Sequence, residues 1–293
     1  MTRPFKILSD FDGVWTHVGH EAQVLYEQLV DDLAELTGQP RQQVQADVTA
    51  LRQRVLTAPH HYGWAPDGRI TAYADEDPLC ETGGLSALIS VAEDDQAKRY
   101  RESILARWPT ISAFAENGFV TAMGRFRATH PPSIAADARQ QLDAVKQAGA
   151  EVVVVSNSEP GKLVAWFTAA GIDASESPGH ELRIRGSAGK QVLGGEASIE
   201  VHGRRVFVDR PRYREAIEQE RPQLVIGDIF SLDLALPHVM REDGHPAAPR
   251  MLALRRHSHT PAWILDDRAA GAIDHVVDHF GDLASLIDST PES

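Results

Sequence analysis

The stretch Phe5-Lys6-Ile7-Leu8-Ser9-Asp10-Phe11-Asp12-Gly13-Val14 runs from a short apolar segment straight into two aspartates and a glycine. It reads as a β-strand, with Gly13 allowing a sharp turn at its exit. A strand that ends in carboxylates marks a site, because ligands of open α/β sheets collect at the carboxyl ends of strands. Further along, Val152-Val153-Val154-Val155 is a β-branched run preceded by a helix-like stretch over about 135–148 that Gly149 terminates. After Ser156-Asn157-Ser158 the pattern turns helical through Leu163, Trp166 and Phe167. Three more strands are predicted: Gln223-Leu224-Val225-Ile226 running into Gly227-Asp228, Arg250-Met251-Leu252-Ala253-Leu254-Arg255, and a weaker one at 274–277 ahead of a short helix. Strands alternating with helices predict a doubly wound α/β core with a parallel, Rossmann-like sheet.

More than a hundred residues separate the first two of these strands, too many for a loop. Residues 21–36 and 41–56 are charged and apolar-periodic, which predicts an inserted, mostly helical domain over 18–128 within a core of 1–17 and 129–293. A smaller insertion is expected over 180–209, with Ile199-Glu200-Val201-His202 and Arg205-Val206-Phe207-Val208 flanking Gly203 as a β-hairpin. Residues 289–293 are expected to fray.

Composition narrows the functional classes. The 293 residues are 42% hydrophobic, enough for a sizeable core, and 29 basic against 42 acidic side chains leave a net charge of −13. That balance opposes attraction to nucleic acid or an anionic membrane. Cys80 is the sole cysteine, so neither an intrachain disulfide nor a cysteine zinc cage can form, and a reducing, cytoplasmic setting is expected. Lys6 and Asp10 interrupt the apolar start, which therefore lacks a secretory core, and no segment has the length of apolar sequence that crosses a membrane.

Strand-end placement brings Asp10, Asp12, Ser156 and Asp228 to one edge of the sheet. Carboxylates gathered there repel one another unless a cation or a shared proton intervenes. Three oxygen donors from Asp10, Asp12 and Asp228 suit Mg²⁺, a hard cation that prefers carboxylates, carbonyls and water.

On these residues the chain resembles the haloacid dehalogenase-like (HAD) hydrolase superfamily, with an insertion where that superfamily places its type-1 helical cap. Asp10-Phe11-Asp12-Gly13-Val14 resembles its first motif, Ser156 its second, and Gly227-Asp228-Ile229-Phe230-Ser231-Leu232-Asp233 its fourth, in the same order. The resemblance implies phosphoryl transfer with Asp10 as nucleophile and Asp12 as the acid and base that serves the leaving group and the water. It implies Mg²⁺ held by the Asp10 carboxylate, the Asp12 main-chain carbonyl and Asp228, with Asp233 ligating directly or through water. Ser156, Asn157 and neighbouring N–H groups would hold the phosphate. The third motif requires a cation, and here the chain departs from the usual pattern. Lys190 follows a Gly-rich turn but lies far ahead of Asp228; Arg210 precedes Pro211, with Arg where Lys is usual. Lys190 is preferred, since a compact ammonium is the usual group and guanidinium is not its equivalent.

A phosphate ester needs a proton donor for its leaving alkoxide, as Asp12 supplies, whereas departing halide needs none, so a phosphatase for a small phosphorylated metabolite is expected over a dehalogenase. A phosphonatase would need a cap lysine, and Lys98 is the single one available there. A phosphomutase uses the same aspartates and stands as the alternative, as does a metabolite-binding module without catalysis. Gly186 to Lys190 lacks the spacing of a P-loop. His275 and His279 lack a metalloprotease glutamate, and His257 and His259 read as solvated loop residues.

Overall fold

The computed structural model describes residues 5–266 and 268–288, so the expectation for 289–293 lies outside the described residues. The chain divides into two compact units, one of residues 1–17 with 132–293 and one of residues 18–131.

In chain order, β1 (Phe5–Ser9) is followed by α1 (Gly19–Thr37), α2 (Arg41–Thr57), β2 (Gly63–Trp64), β3 (Ala72–Tyr73), α3 (Cys80–Val91), α4 (Asp95–Leu105) and α5 (Ile111–Thr129). Next come α6 (Ala138–Gln147), β4 (Ala150–Val155), α7 (Pro160–Ala169), β5 (Ala174–Ser175), β6 (Leu182–Arg185), β7 (Ser198–Val201) and β8 (Arg204–Phe207). The chain continues through α8 (Pro211–Glu220), β9 (Leu224–Gly227), α9 (Ala235–Glu242), β10 (Met251–Arg255) and β11 (His275–Val277) to a last short helix at Leu283–Asp288.

Unit 18–131 is a helical assembly around one apolar cluster. In α2 the positions Val44, Val48, Leu51 and Val55 recur at helical spacing and are fully buried, against Leu29, Val30 and Leu33 of α1 and Leu85, Leu88 and Ile89 of α3. Asp94 and Thr110 cap α4 and α5 by accepting the Ala97 and Ala113 N–H groups.

The other unit is built on a seven-stranded sheet in the order β11-β10-β9-β1-β4-β6-β5, parallel throughout. β1 is its central strand, and Ser9 stands in register with Val154 of β4 and Ile226 of β9. The residues that follow these three strands therefore leave the sheet at the same level.

The expectation of a single insertion over 180–209 is corrected: Leu182–Arg185 is a core strand, paired in parallel with β4 and β5. Its Leu182 and Ile184 are fully buried, while Arg183, Arg185 and Lys6 gather on the buried Glu220 at the end of α8. The alternating arginines imitate a solvated hairpin because their partner lies some 35 residues away. The hairpin itself is the antiparallel pair β7 and β8 turning at His202-Gly203.

Candidate active site

Asp10 leaves β1 with its N–H donated to the Ile226 carbonyl 2.9 Å away. Ser9 fixes the turn that follows: its Oγ donates to the Asp10 carbonyl at 2.7 Å and accepts from Trp15 Nε1 at 3.0 Å. Gly13 adopts φ +81°, and a Cβ there would stand 1.9 Å from Asp228 Oδ2. Glycine is thus required twice, for the backbone sign and for the approach of the loop to the carboxylate. Asp228 follows β9, and a π-helical turn at Phe230–Leu234 brings Asp233 back to the same place, its Oδ2 accepting the Ile229 N–H at 3.1 Å.

Asp10, Asp228 and Asp233 are all buried, and they offer carboxylate oxygens within 4.8 Å of one another. Lys190 is the cation among them. Its Nζ donates to Asp10 Oδ1 at 2.6 Å and to Asp233 Oδ1 at 2.8 Å, and it lies 5.1 Å from the centre of the Tyr213 ring. Tyr213 in turn donates its hydroxyl to the Asp233 carbonyl at 3.0 Å. Burial opposes the Lys190 ammonium, but the Asp10 and Asp233 carboxylates outweigh it and hold the pKa above that of an ordinary lysine. Burial raises the Asp10 carboxyl well above the usual range; Lys190 pulls it down, and Asp233 and Asp228 push it further up. Asp228 is raised in the same way, by burial first and then by Asp233.

Asp12 is held apart from this cluster. Ser158 Oγ donates to its Oδ2 at 2.7 Å, and Lys162 Nζ, from the first turn of α7, donates to its Oδ1 at 2.9 Å. The Lys162 ammonium lies over the Phe11 and Trp166 rings, at 5.6 and 4.9 Å from their centres. Two aspartates two residues apart thus take different partners: Asp10 faces Lys190, and the Asp12 side chain takes a hydroxyl from the loop before α7 and an ammonium from α7. Sequence reading missed Lys162, which enters from the first turn of α7, four residues after Ser158 in the loop that precedes the helix.

The remaining sequence-derived residues surround this centre. Ser156 is buried at the end of β4, its N–H donated to the Arg185 carbonyl and its Oγ accepting the Ser158 N–H, each at 3.0 Å. Asn157 is exposed, and its Oδ1 accepts the Lys190 N–H at 2.7 Å. Arg210 is fully buried and donates to the Lys190 main-chain carbonyl. Of the two cations left open by the sequence, Lys190 reaches the Asp10 carboxylate while Arg210 and Asn157 brace the backbone that carries it.

His257 is the second residue missed, since the sequence reads it as a solvated loop residue. Its Nε2 lies 3.5 Å from Asp228 Oδ2, and only 14% of its side chain is exposed. Burial, reinforced by Arg255 and opposed by the Gly13 main chain, lowers its pKa to about 4, so the ring is neutral at pH 7.

Three carboxylates against one ammonium leave the centre with a formal excess of two negative charges, 3 − 1 = 2. Among the described residues neither Asp228 oxygen finds a hydrogen-bond partner, although both are buried. Orphaned, buried carboxylate oxygens in an all-oxygen cluster of this charge fit a divalent hard cation.

No protein-family model matches the chain, and no curated protein matches it. Among solved structures it is similar to CbbY from Rhodobacter sphaeroides in complex with phosphate, at 14% identity and a TM-score of 0.45 over 96% of each chain. It is similar also to a HAD family hydrolase from Deinococcus radiodurans with bound phosphate and sodium, at 18% identity and a TM-score of 0.42, covering 97% of this chain and 96% of that one. A phosphoserine phosphatase from T. onnurineus matches at 12% identity and a TM-score of 0.36, over 98% of this chain and 96% of that one.

Proposed function

We propose that this chain is a HAD-type phosphatase, dependent on Mg²⁺, that hydrolyses a small phosphorylated metabolite through a phosphoryl group carried on Asp10. The observation that carries the reading is the division of labour between two neighbouring aspartates. Asp10 sits in a buried centre with a fixed ammonium, while Asp12 is separately held by Ser158 and Lys162. A phosphotransferase needs one carboxylate to attack and another to move protons, and the two must not exchange roles.

In this reading an Asp10 oxygen attacks phosphorus as the bond to the leaving oxygen breaks. Asp12 gives its proton to that oxygen, then takes one from the water that attacks the aspartyl phosphate, which returns Asp10 and releases inorganic phosphate. Lys190 offsets the repulsion between carboxylate and phosphate from its position on Asp10. Ser156 and the N–H groups at the start of α7 would receive the phosphate oxygens, as helix N-termini favour anions. The Asp10 and Asp228 carboxylates and the Asp12 main-chain carbonyl would hold Mg²⁺. Asp233, whose oxygens already accept from Lys190 and Ile229, would reach it through water. When bound, the cation supplies charge that stabilises the transferring phosphoryl group. Residues 18–131 correspond, in the same reading, to the inserted cap domain.

Hydrolysis of p-nitrophenyl phosphate in the presence of Mg²⁺ tests this. We expect turnover that EDTA stops and Asp10→Asn abolishes, with the circular dichroism of the variant unchanged. Activity undiminished by chelation removes the cation from the scheme, and a fully active Asp10→Asn protein removes the nucleophile.

A further inference from the structure

Three buried polar atoms meet without a hydrogen bond beside Gly13: both carboxylate oxygens of Asp228 and Nε2 of His257. Such groups are rare in folded proteins, and three in one place call for a common cause. The His257 ring is brought there by the sheet. Leu254 of β10 stands in register with Gly227 of β9, so the chain leaving β10 emerges next to Asp228. The His257 N–H donates to Thr260 Oγ1 at 2.8 Å, which turns the loop, and the His259 ring stacks on that of His257 at 4.9 Å and 7°. The ring thus stacks on His259 with its Nε2 end buried against the carboxylate.

A separation of 3.5 Å is too long for a good hydrogen bond. Neither atom is otherwise paired among the described residues, so a small shift of either side chain closes the hydrogen bond. Nε2 is the unpartnered polar atom beside Oδ2, and carrying the ring proton it is the group that can donate to this carboxylate. Partners of this kind orient metal-ligating carboxylates and tune their affinity.

We propose that His257 is a positioning residue for Asp228: its Nε2–H holds the carboxylate in the orientation that binds a divalent cation. The inference rests on the metal site proposed above and assigns its affinity to a residue outside the ligand set.

The test counts bound Mn²⁺ through the loss of the free-ion electron paramagnetic resonance signal, for the wild type, His257→Phe and His257→Gln, with melting in EDTA recorded for each. Removing such a partner costs about 10- to 100-fold in metal affinity, which is the loss expected for His257→Phe. Gln keeps an N–H donor at a similar reach, so His257→Gln is expected to retain most of the affinity, and all three proteins to melt alike without metal. Should His257→Phe fail to fold, His257→Ala is judged by the same criterion. Wild-type affinity in the Phe or Ala variant overturns the inference, and so does a Gln variant as weak as the Phe. A wild type that binds no Mn²⁺ overturns the metal site itself, an outcome distinct from either.

Discussion

Replacing Lys190 with Met keeps the buried stem and removes the charge that separates Asp10 from Asp233. Their oxygens lie no more than 4.8 Å apart. Two unit charges at that distance repel by about 3.5 kcal/mol at an effective dielectric of ~20. The protein can avoid that cost by protonating one carboxyl, which from an ordinary aspartate value costs about 4 kcal/mol at pH 7 and about 1.5 kcal/mol at pH 5, and less than this here because burial already raises Asp10. The lesser cost prevails, so Lys190→Met should destabilise the metal-free protein by at most about 3.5 kcal/mol at pH 7 and by less, under about 1.5 kcal/mol, at pH 5. The sign follows from proton counts. Lys190 is raised above the ordinary lysine value of 10.5, so its contribution is fully present below that value and adds no slope between pH 5 and 7. The variant binds an extra carboxyl proton when folded, and therefore loses stability relative to wild type as pH rises. Urea unfolding in EDTA at the two pH values measures the difference. An equal loss at both pH values, or no loss at either, refutes the buried charge cluster.

The same centre sets the pH dependence of the wild type. Asp10 and Asp228 have folded-state pKa values above their unfolded ones, so their contribution to stability is greatest at low pH and is lost as pH rises through the folded values. Melting in EDTA should fall from pH 5 to pH 8 and flatten in saturating Mg²⁺; a metal-free protein that gains stability over this range contradicts the assignment. Lys162→Met should lower kcat for p-nitrophenyl phosphate by about 10- to 100-fold, the effect of a displaced catalytic group, with Mn²⁺ affinity unchanged. Unaltered kcat would separate Lys162 from the work of Asp12.

How far the site could be read from the sequence follows from how each residue is placed. Asp10, Ser156 and Asp228 follow strands whose residues Ser9, Val154 and Ile226 share one register, so identifying the strands already put these side chains at one edge. Asp233 follows from Asp228 through a local turn. Lys190 and Arg210 belong to a long connection between β6 and α8, where chain distance says little about which charge returns to Asp10. What settles it is a pair of main-chain contacts: Asn157 accepts the Lys190 N–H, and Arg210 donates to the Lys190 carbonyl. An arginine expected beside the phosphate instead holds the backbone of the lysine that faces the nucleophile. β6 escaped for a related reason, its arginines being satisfied by a glutamate from another element.

His257 is the sharper case. As a loop histidine after a strand it has no signal of its own, and solvation is the natural reading. Yet the parallel pairing of β10 with β9 fixes where that loop begins, beside Asp228, and Thr260 turns it back. A histidine two residues beyond the end of a strand adjacent to a ligand-bearing strand is therefore constrained by the sheet almost as tightly as the ligand. The ligating carboxylates are identified by the chemistry of their own side chains, whereas their supporting residues can be identified only after the strand order is known.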